Sequence, residues 1–451
     1  MTVDGNIGAL DFSECETLTA RDAAHLGQCV FLHTLNLRGC TGLLTSLPAD
    51  IGRCTALTTL DLSRCDFAEL PVEIGLCVSL RTLNLNLCDF ATLPAELGQY
   101  ASLEVLDLTG CLALITLPAE IGQCSNLRTL NLTGCRAVIT LPAEIGQCSN
   151  LRTLNLEGCN SFTTLPVEIG FCAALSTLIL SGCTELEFLP AEIGDCANLR
   201  TLNLAGCTDI RSMSSRGGLA SIPAELGRCA SLQTLDLSGC YSITSLPSEI
   251  GQCSNLRTLI LQECWLAELP VEIGLCTALC TLDLSDCEYL TSLPAELGCC
   301  AFLQTLDLSD CPMITSLPAE LGCCASLQRL DLTSCTKITS LPAQLGNCTW
   351  LHTLALSGCA LEVAMLPTSL AMTPWMRDGK QLHKQVENPL FAAVLGAAVK
   401  ADPSLAEITA GDRQGRRAID HAHPDCMRAM RAAGPCTLIS IDTLDSDTYS
   451  G

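Results

Sequence analysis

Two regularly spaced sets of cysteines have the most evident capacity for chemistry in this sequence, because thiolates bind metal ions, form disulfides and carry redox reactions. The chain of 451 residues contains 33 cysteines. Fifteen of them form a set that we call column 1: Cys15, Cys40, Cys65, Cys88, Cys111, Cys135, Cys159, Cys183, Cys207, Cys240, Cys264, Cys287, Cys311, Cys335 and Cys359. Thirteen more form column 2: Cys29, Cys54, Cys77, Cys124, Cys148, Cys172, Cys196, Cys229, Cys253, Cys276, Cys300, Cys324 and Cys348. Tyr100 stands once in column 2 where a cysteine would be expected.

A metal or iron–sulfur centre is the first chemistry that such cysteines could support. The sequence has no Cys-x-x-Cys pair, and no His or Asp recurs in register with the columns. Metal and iron–sulfur sites commonly use such closely spaced ligands. Residues 420–426 contain His, Asp and Cys, but two His side chains at i and i+2 of a helix diverge by about 200°. We therefore predict no metal site and no cofactor.

The cysteines belong to a longer repeat. LPAEIGQCSNLRTLNLTGC at 117–135 recurs at 141–159 with one difference, Thr133 against Glu157. Fifteen units align on L-x-x-L-x-L-x-x-C, with starts at residues 7, 32, 57, 80, 103, 127, 151, 175, 199, 232, 256, 279, 303, 327 and 351. Their period and pattern resemble the leucine-rich repeat family. The segment LPAEIG resembles the Ras-group intracellular repeats, and LSGCTELEFLP at 180–190 resembles those of plant disease-resistance proteins.

The leucine spacing predicts the elements that position these residues. Leu130 and Leu132 share the buried side of a short strand, and Asn131 lies on the other side. Pro142 opens a short helical turn, and Gly146 is predicted to end it with a positive φ. One unit cannot cover its leucines, so units must stack. We predict an α/β solenoid, and the resemblance implies a leucine-rich repeat horseshoe with about fifteen parallel strands on its concave face. A small α-helical, ankyrin-like segment is expected after it.

The same stacking predicts that the thiols stay reduced. Equivalent Cβ atoms of parallel neighbours lie ~4.8 Å apart, outside the usual disulfide range of about 3.5–4.5 Å. The N-terminus has no basic region followed by an apolar run, so we expect no secretory signal. Both observations predict a cytoplasmic protein.

Departures from the repeat predict the domain boundaries. We expect an N-terminal capping repeat at 1–31, a leucine-rich repeat solenoid at 32–367, a C-terminal cap and linker at 368–386 and a flexible tail at 436–451. Between the last two, residues 387–435 resemble two degenerate ankyrin repeats, which begin at 388–393 and 412–422. This resemblance implies a helical segment.

Net charge limits the classes of partner. The chain carries a formal charge of −24 and contains only four lysines. Such a chain would be repelled by nucleic-acid phosphates and anionic membranes. Its apolar runs are too short to span a bilayer, and no catalytic motif is present. We predict a monomeric, non-catalytic protein that binds another protein and neither nucleic acid nor membrane.

The concave strand face is the predicted binding surface. Thr dominates its central column, Asp or Asn the next, and arginines lie beside them toward the N-terminal end. The candidate partner-binding residues are Arg81, Glu104, Arg128, Asn131, Arg152, Asn155, Ile179, Arg200, Asn203, Asp236, Arg257, Ile260, Glu263, Asp283, Asp307, Arg329 and Asp331. An insertion in the ninth unit adds Arg211, Ser214, Ser215 and Arg216 as candidates. The Thr and Asp/Asn columns could equally be repeat copies that keep the ladder soluble.

Three functions remain open at this stage. The first is an intracellular interaction scaffold in signalling or recognition. The second is the sensor part of a larger signalling enzyme such as a kinase. The third is binding to a crystal surface such as ice, because the Thr lattice repeats every ~4.8 Å. The interspersed Asp and Arg side chains argue against this third function.

Overall fold

The structure is a computed structural model that describes residues 7–361, except 16, 19–24, 41–46, 68 and 209–217. The chain forms two compact units, Met1–Leu256 (unit 1) and Arg257–Gly451 (unit 2). The predicted segments 368–386, 387–435 and 436–451 lie outside the described residues, so these domain assignments stay predictions.

Unit 1 contains ten three-residue strands that pair in parallel in chain order. The strands are β1 (Ala9–Asp11), β2 (Thr34–Asn36), β3 (Thr59–Asp61), β4 (Thr82–Asn84), β5 (Val105–Asp107), β6 (Thr129–Asn131), β7 (Thr153–Asn155), β8 (Thr177–Ile179), β9 (Thr201–Asn203) and β10 (Thr234–Asp236). The return segments contain 3-10 helices: η1 (Leu26–Gln28), η2 (Ala49–Arg53), η3 (Val72–Leu76), η4 (Ala95–Gln99), η5 (Ala119–Gln123), η6 (Ala143–Gln147), η7 (Val167–Phe171), η8 (Ala191–Asp195), η9 (Ala224–Arg228) and η10 (Ser248–Gln252).

Unit 2 repeats this arrangement with five parallel strands in chain order. They are β11 (Thr258–Ile260), β12 (Thr281–Asp283), β13 (Thr305–Asp307), β14 (Arg329–Asp331) and β15 (Thr353–Ala355). Its 3-10 helices are η11 (Val271–Leu275), η12 (Ala295–Cys299), η13 (Ala319–Cys323) and η14 (Ala343–Asn347).

The leucines of the repeat form the core of each unit. In β6, Leu130 is fully buried and lies opposite Leu154 of β7, while Thr129 and Asn131 remain partly exposed. Each fully buried leucine contributes about 1.5–3 kcal/mol to the free energy of folding. The fold class predicted from the leucine spacing is therefore confirmed, with 3-10 helices of three to five residues as its helical component.

The 3-10 helix η6 begins after Pro142, as the sequence predicts, but the role predicted for Gly146 at the helix end is wrong. Pro142 caps η6, and its carbonyl accepts a hydrogen bond from the N–H of Ile145. Gly146 lies inside η6 and has no positive φ; that conformation belongs to Gly134 in the turn after β6. A Cβ atom on Gly146 would stand 2.5 Å from the carbonyl oxygen of Glu168. Close packing of successive helices therefore requires glycine there.

Both cysteine columns lie in the core and donate hydrogen bonds. Column 1 follows the turn after each strand, and thirteen of its Sγ atoms lie 2.9–3.2 Å from a carbonyl oxygen of the preceding repeat, as with Cys65 and Leu37. Column 2 follows the 3-10 helices, and eleven of its Sγ atoms lie 3.2–3.5 Å from a carbonyl oxygen of the preceding repeat, as with Cys77 and Ile51. The cysteines therefore link successive repeats as small buried donors.

Candidate binding surface

The Asp and Asn residues that end most strands bind their own chain. In twelve strands the Oδ1 atom accepts the backbone N–H of the residue two positions later, at 2.8–3.1 Å. Where that residue is Ser or Thr, its hydroxyl adds a second bond at 2.6–2.7 Å, as Thr133 does to Asn131. At Asp11 the backbone N–H of Ser13 lowers the pKa of the carboxyl. We call this motif the strand-end clip.

The strand-end clip explains a large part of the predicted binding face. Seven of the candidates form it: Asn131, Asn155, Asn203, Asp236, Asp283, Asp307 and Asp331. Their Oδ1 atoms hold the chain in the turn that follows the strand. For five of these seven, the sequence signal was Asp or Asn followed two residues later by Ser or Thr, residue types known for local side-chain-to-backbone bonds.

Arginines beside the strands of unit 1 divide into two groups. Arg81 and Arg128 lie on either side of Glu104, with Nη1 atoms 2.6 Å from Oε1 and 3.1 Å from Oε2 respectively. Glu104, a candidate because it departs from the repeat, therefore forms ion pairs with two of the candidate arginines. Arg152 and Arg200 are exposed, and neither forms an ion pair with any residue that the structure describes.

An apolar side chain lies between these two arginines in the repeat order. Ile179 ends β8, in register with Asn155 on one side and Asn203 on the other. It is partly exposed, and as Ile it cannot form the strand-end clip. Ser176 precedes β8, and its hydroxyl donates to the carbonyl oxygen of Arg152 at 3.0 Å. We call Arg152, Ile179 and Arg200 the arginine–isoleucine patch.

On the strand face of unit 2, an arginine lies among the candidate carboxylates. Arg329 replaces Thr in β14, and its Nη2 atom lies 2.8 Å from Oδ2 of Asp331 and 3.8 Å from Oδ2 of Asp307. Asp331 is only 7% exposed. Asp331 is a candidate for partner binding, and the ion pair with Arg329 and the clip to Thr333 enclose its carboxylate.

Other candidates in unit 2 occupy different positions. Arg257 precedes β11 and is exposed, and Ile260 ends β11 and is partly exposed. Glu263 was expected on the strand face, but it lies in the following turn with a φ of 60°. The insertion candidates Arg211, Ser214, Ser215 and Arg216 lie outside the described residues.

The described part of the chain contains neither a group of metal-ligating side chains nor a membrane-spanning helix. Within residues 7–361 and apart from the gaps given above, no group of three or more His, Cys, Asp or Glu side chains is arranged to hold a metal ion. No helix in these ranges is long and apolar enough to cross a membrane.

Comparison with known proteins agrees with this architecture. The family described as "Leucine-rich repeat region" matches residues 7–112 and 79–236, and "Leucine Rich Repeat" matches 231–253 and 302–324. No curated protein matches the chain significantly in sequence.

Three solved structures illustrate the likeness. The LRR protein LIC12759 of Leptospira interrogans is 30% identical with a TM-score of 0.65, covering 82% of this chain and 88% of its own. A TDR receptor is 25% identical with a TM-score of 0.54, over 82% and 67% of the two chains. The functional domain of InlJ from Listeria monocytogenes, which includes a cysteine ladder, is 18% identical with a TM-score of 0.52, over 83% and 72%.

The structure, the family matches and the solved structures all indicate the same fold. Tandem repeats with buried leucines, parallel three-residue strands and matching family regions occur together over most of the described chain. Proteins of this architecture present an extended strand face to other proteins and are typically non-catalytic. The chain belongs to the leucine-rich repeat family.

Proposed function

We propose that this protein is a non-catalytic scaffold that recognises a partner protein through the strand face of unit 1. The family and the fold support an interaction role, because stacked repeats create an extended surface rather than an enclosed pocket. Intracellular signalling or recognition is the finer role that we propose for it.

The arginine–isoleucine patch is the observation that carries this proposal. Most residues of the strand face are repeat copies, and seven candidates use their Oδ1 atoms in strand-end clips. Arg152 and Arg200 are exposed without an ion pair among the described residues, and the partly exposed Ile179 ends β8, the strand between the two that these arginines precede. Arginine and apolar side chains are typical of the few residues that dominate binding energy.

The patch also limits the chemistry of the partner. Two uncompensated guanidinium groups favour a surface with carboxylates, which they can bind through paired hydrogen bonds. Ile179 favours an apolar side chain between those carboxylates. The proposed partner is therefore a protein with an acidic surface that presents one aliphatic or aromatic residue.

We place the protein in the cytoplasm. A thiol can donate to a carbonyl only while it carries its proton, so the donor role of both cysteine columns depends on reduced sulfur. Reducing compartments maintain that state. Imaging of the tagged full chain, together with fractionation of native cells, tests this location; a signal confined to an oxidising compartment contradicts it.

Crosslinking in native cells, followed by affinity capture, tests the binding surface. Three baits are compared: the wild-type chain, Arg152→Glu/Arg200→Glu, and the control Arg53→Glu/Arg228→Glu. Arg53 and Arg228 lie at the ends of η2 and η9 in the same unit, and both are exposed. The control therefore makes the same change in charge at the 3-10 helices, away from the strands.

The proposal predicts proteins that the wild-type and control baits retain and that the Arg152→Glu/Arg200→Glu bait loses. Such proteins should then bind the purified wild-type chain about tenfold or more tightly than the patch variant. If all three baits retain the same proteins, the strand face of unit 1 is not the recognition surface.

A further inference from the structure

Three consecutive turns of unit 2 present acidic side chains. Glu263, Asp286 and Asp310 occupy equivalent positions after β11, β12 and β13, with φ values of 60°, 58° and 56°. The N–H groups of Asp286 and Asp310 donate to Ser309 and Thr333 of the next repeat at 2.8 and 2.7 Å. These bonds hold the turns in register, so the acidic positions follow one another at the repeat spacing.

A row of large, mainly apolar side chains follows two or three residues after these acidic positions. Trp265, Tyr289 and Met313 come one or two residues after the column 1 cysteines of the same three repeats, and they are 46%, 50% and 39% exposed. The rings of Trp265 and Tyr289 form an edge-to-face pair with centroids 5.6 Å apart and an angle of 61° between their planes. Such rings attract cations placed over their faces.

We define the acidic–aromatic edge as Glu263, Trp265, Asp286, Tyr289, Asp310 and Met313. It combines carboxylates with exposed π systems, and both kinds of group attract a cation. Burial and the neighbouring charges of Asp310 and Glu263 raise the pKa of Asp286. A bound cation would relieve this mutual repulsion.

The chain already places one ammonium group on this row. Lys337 follows in the next repeat, and its Nζ atom lies 3.0 Å from Sδ of Met313. Cys335 precedes Lys337 by the same two residues that separate Cys311 from Met313. The row therefore accommodates a lysine side chain at its end, which shows how a basic residue can pack against it.

We propose that the acidic–aromatic edge docks an extended basic segment of a partner protein, with one Arg or Lys over the Trp265–Tyr289 pair and others against Asp286 and Asp310. Three repeats span about 10 Å between their outer positions, the length of three to four extended residues. The inference rests on the proposed function in taking a protein as the occupant, but it uses a surface other than the arginine–isoleucine patch.

Fluorescence anisotropy of a labelled peptide that alternates Arg and Gly tests this inference with the full chain. A peptide of equal length that alternates Glu and Gly measures the background. Two variants remove the proposed contacts: Asp286→Asn/Asp310→Asn and Trp265→Ala/Tyr289→Ala. Asn tolerates a positive φ well, so the first variant should fold normally.

Two control variants remove carboxylates or an aromatic ring at other positions in unit 2. Glu296→Gln/Glu320→Gln removes two charges from η12 and η13, the helices of the same two repeats. Phe302→Ala removes an exposed ring that follows η12. Thermal unfolding of every variant verifies that it is folded before binding is compared.

The inference predicts that the Arg–Gly peptide binds and that each edge variant weakens binding about tenfold. Both controls, and Arg152→Glu/Arg200→Glu, should bind it like the wild type. The inference fails if no binding occurs, if Trp265→Ala/Tyr289→Ala binds like the wild type, or if Glu296→Gln/Glu320→Gln loses as much affinity as Asp286→Asn/Asp310→Asn. Because the patch variant is tested separately, failure at this edge leaves the proposed recognition by unit 1 intact.

Discussion

The Sγ atom of Cys311 lies 3.0 Å from the carbonyl oxygen of Leu284, one repeat earlier in unit 2. The same oxygen accepts the backbone N–H of Cys287 from its own turn. The thiol therefore uses the second lone pair of a carbonyl that is already bonded, and it joins two repeats through the buried corner that follows each strand.

Replacement of this thiol should destabilise unit 2. Cys311→Ala removes a buried donor and leaves a small cavity, so the free energy of unfolding should fall by about 1–2 kcal/mol. Cys323→Ala is the control, because Cys323 is exposed at the end of η13 and should change stability by less than about 0.5 kcal/mol. Urea unfolding followed by circular dichroism measures both. Equal effects of the two substitutions would show that the hydrogen bond and burial of Cys311 add nothing.

The regular part of the fold could be predicted because the same pattern of leucine and proline residues recurs in successive repeats. Leu130 and Leu132 indicate a buried strand side, and Pro142 indicates where the helical turn begins. Gly146 was misjudged because a local rule for helix ends was applied to it. Its actual constraint is the Glu168 carbonyl of the next repeat, a contact between repeats that no single unit reveals.

The candidate surface was less predictable, because a residue's type does not show which atoms remain available. Asp283 and Asn131 look like binding groups in sequence, yet their Oδ1 atoms close strand-end clips. Asp331 is enclosed because Arg329 reaches it from the same strand. The exceptions to the repeat also differ from one another, since Ile179 ends β8 partly exposed whereas Glu104 forms ion pairs with two arginines.

Alkaline pH should unfold the protein through its buried thiols. Burial raises the pKa of the Cys159 and Cys183 thiols from the usual 9.0 to about 12. An unfolded thiol loses its proton above pH 9, whereas the folded one keeps it. The free energy of unfolding should therefore be level below pH 9 and fall above it by about 1.4 kcal/mol per thiol and pH unit.

Urea unfolding under reducing conditions at increasing pH measures this decline. A Cys159→Ala/Cys183→Ala variant should be less stable at neutral pH, but its stability should fall less steeply above pH 9 because two titrating thiols are absent. A wild-type free energy of unfolding that stays constant to about pH 11 would contradict the burial of the thiols.

Native-state alkylation should distinguish two cysteines from all others that the structure describes. Cys299 and Cys323 are exposed at the ends of η12 and η13, whereas the cysteines of both columns are buried or partly buried. Iodoacetamide should modify these two first, because a buried thiol is inaccessible and forms its thiolate poorly. Peptide mass spectrometry at short reaction times identifies the modified positions.

Denatured protein supplies the reference for this experiment, since every thiol should then react at a similar rate. In Cys299→Ser/Cys323→Ser the rapid phase assigned to the described residues should disappear. Rapid native labelling of a column 1 cysteine such as Cys183 would instead show that the repeats open readily around it.

Removal of the Tyr100 hydroxyl should stabilise the protein. Its side chain is fully buried in the column 2 position after η4, and the hydroxyl has no hydrogen-bond partner among the described residues. In the repeats before and after it, Cys77 and Cys124 donate to the carbonyls of Ile51 and Leu97. A buried hydroxyl without a partner loses its bonds to water and gains none, which costs about 1–3 kcal/mol.

Tyr100→Phe keeps the ring and should raise the free energy of unfolding by about 1 kcal/mol in urea titrations. Tyr289→Phe, which changes an exposed tyrosine, should alter it by less than about 0.5 kcal/mol. A loss of stability in Tyr100→Phe would mean that the hydroxyl binds a buried water, and the column would then be continuous through this repeat.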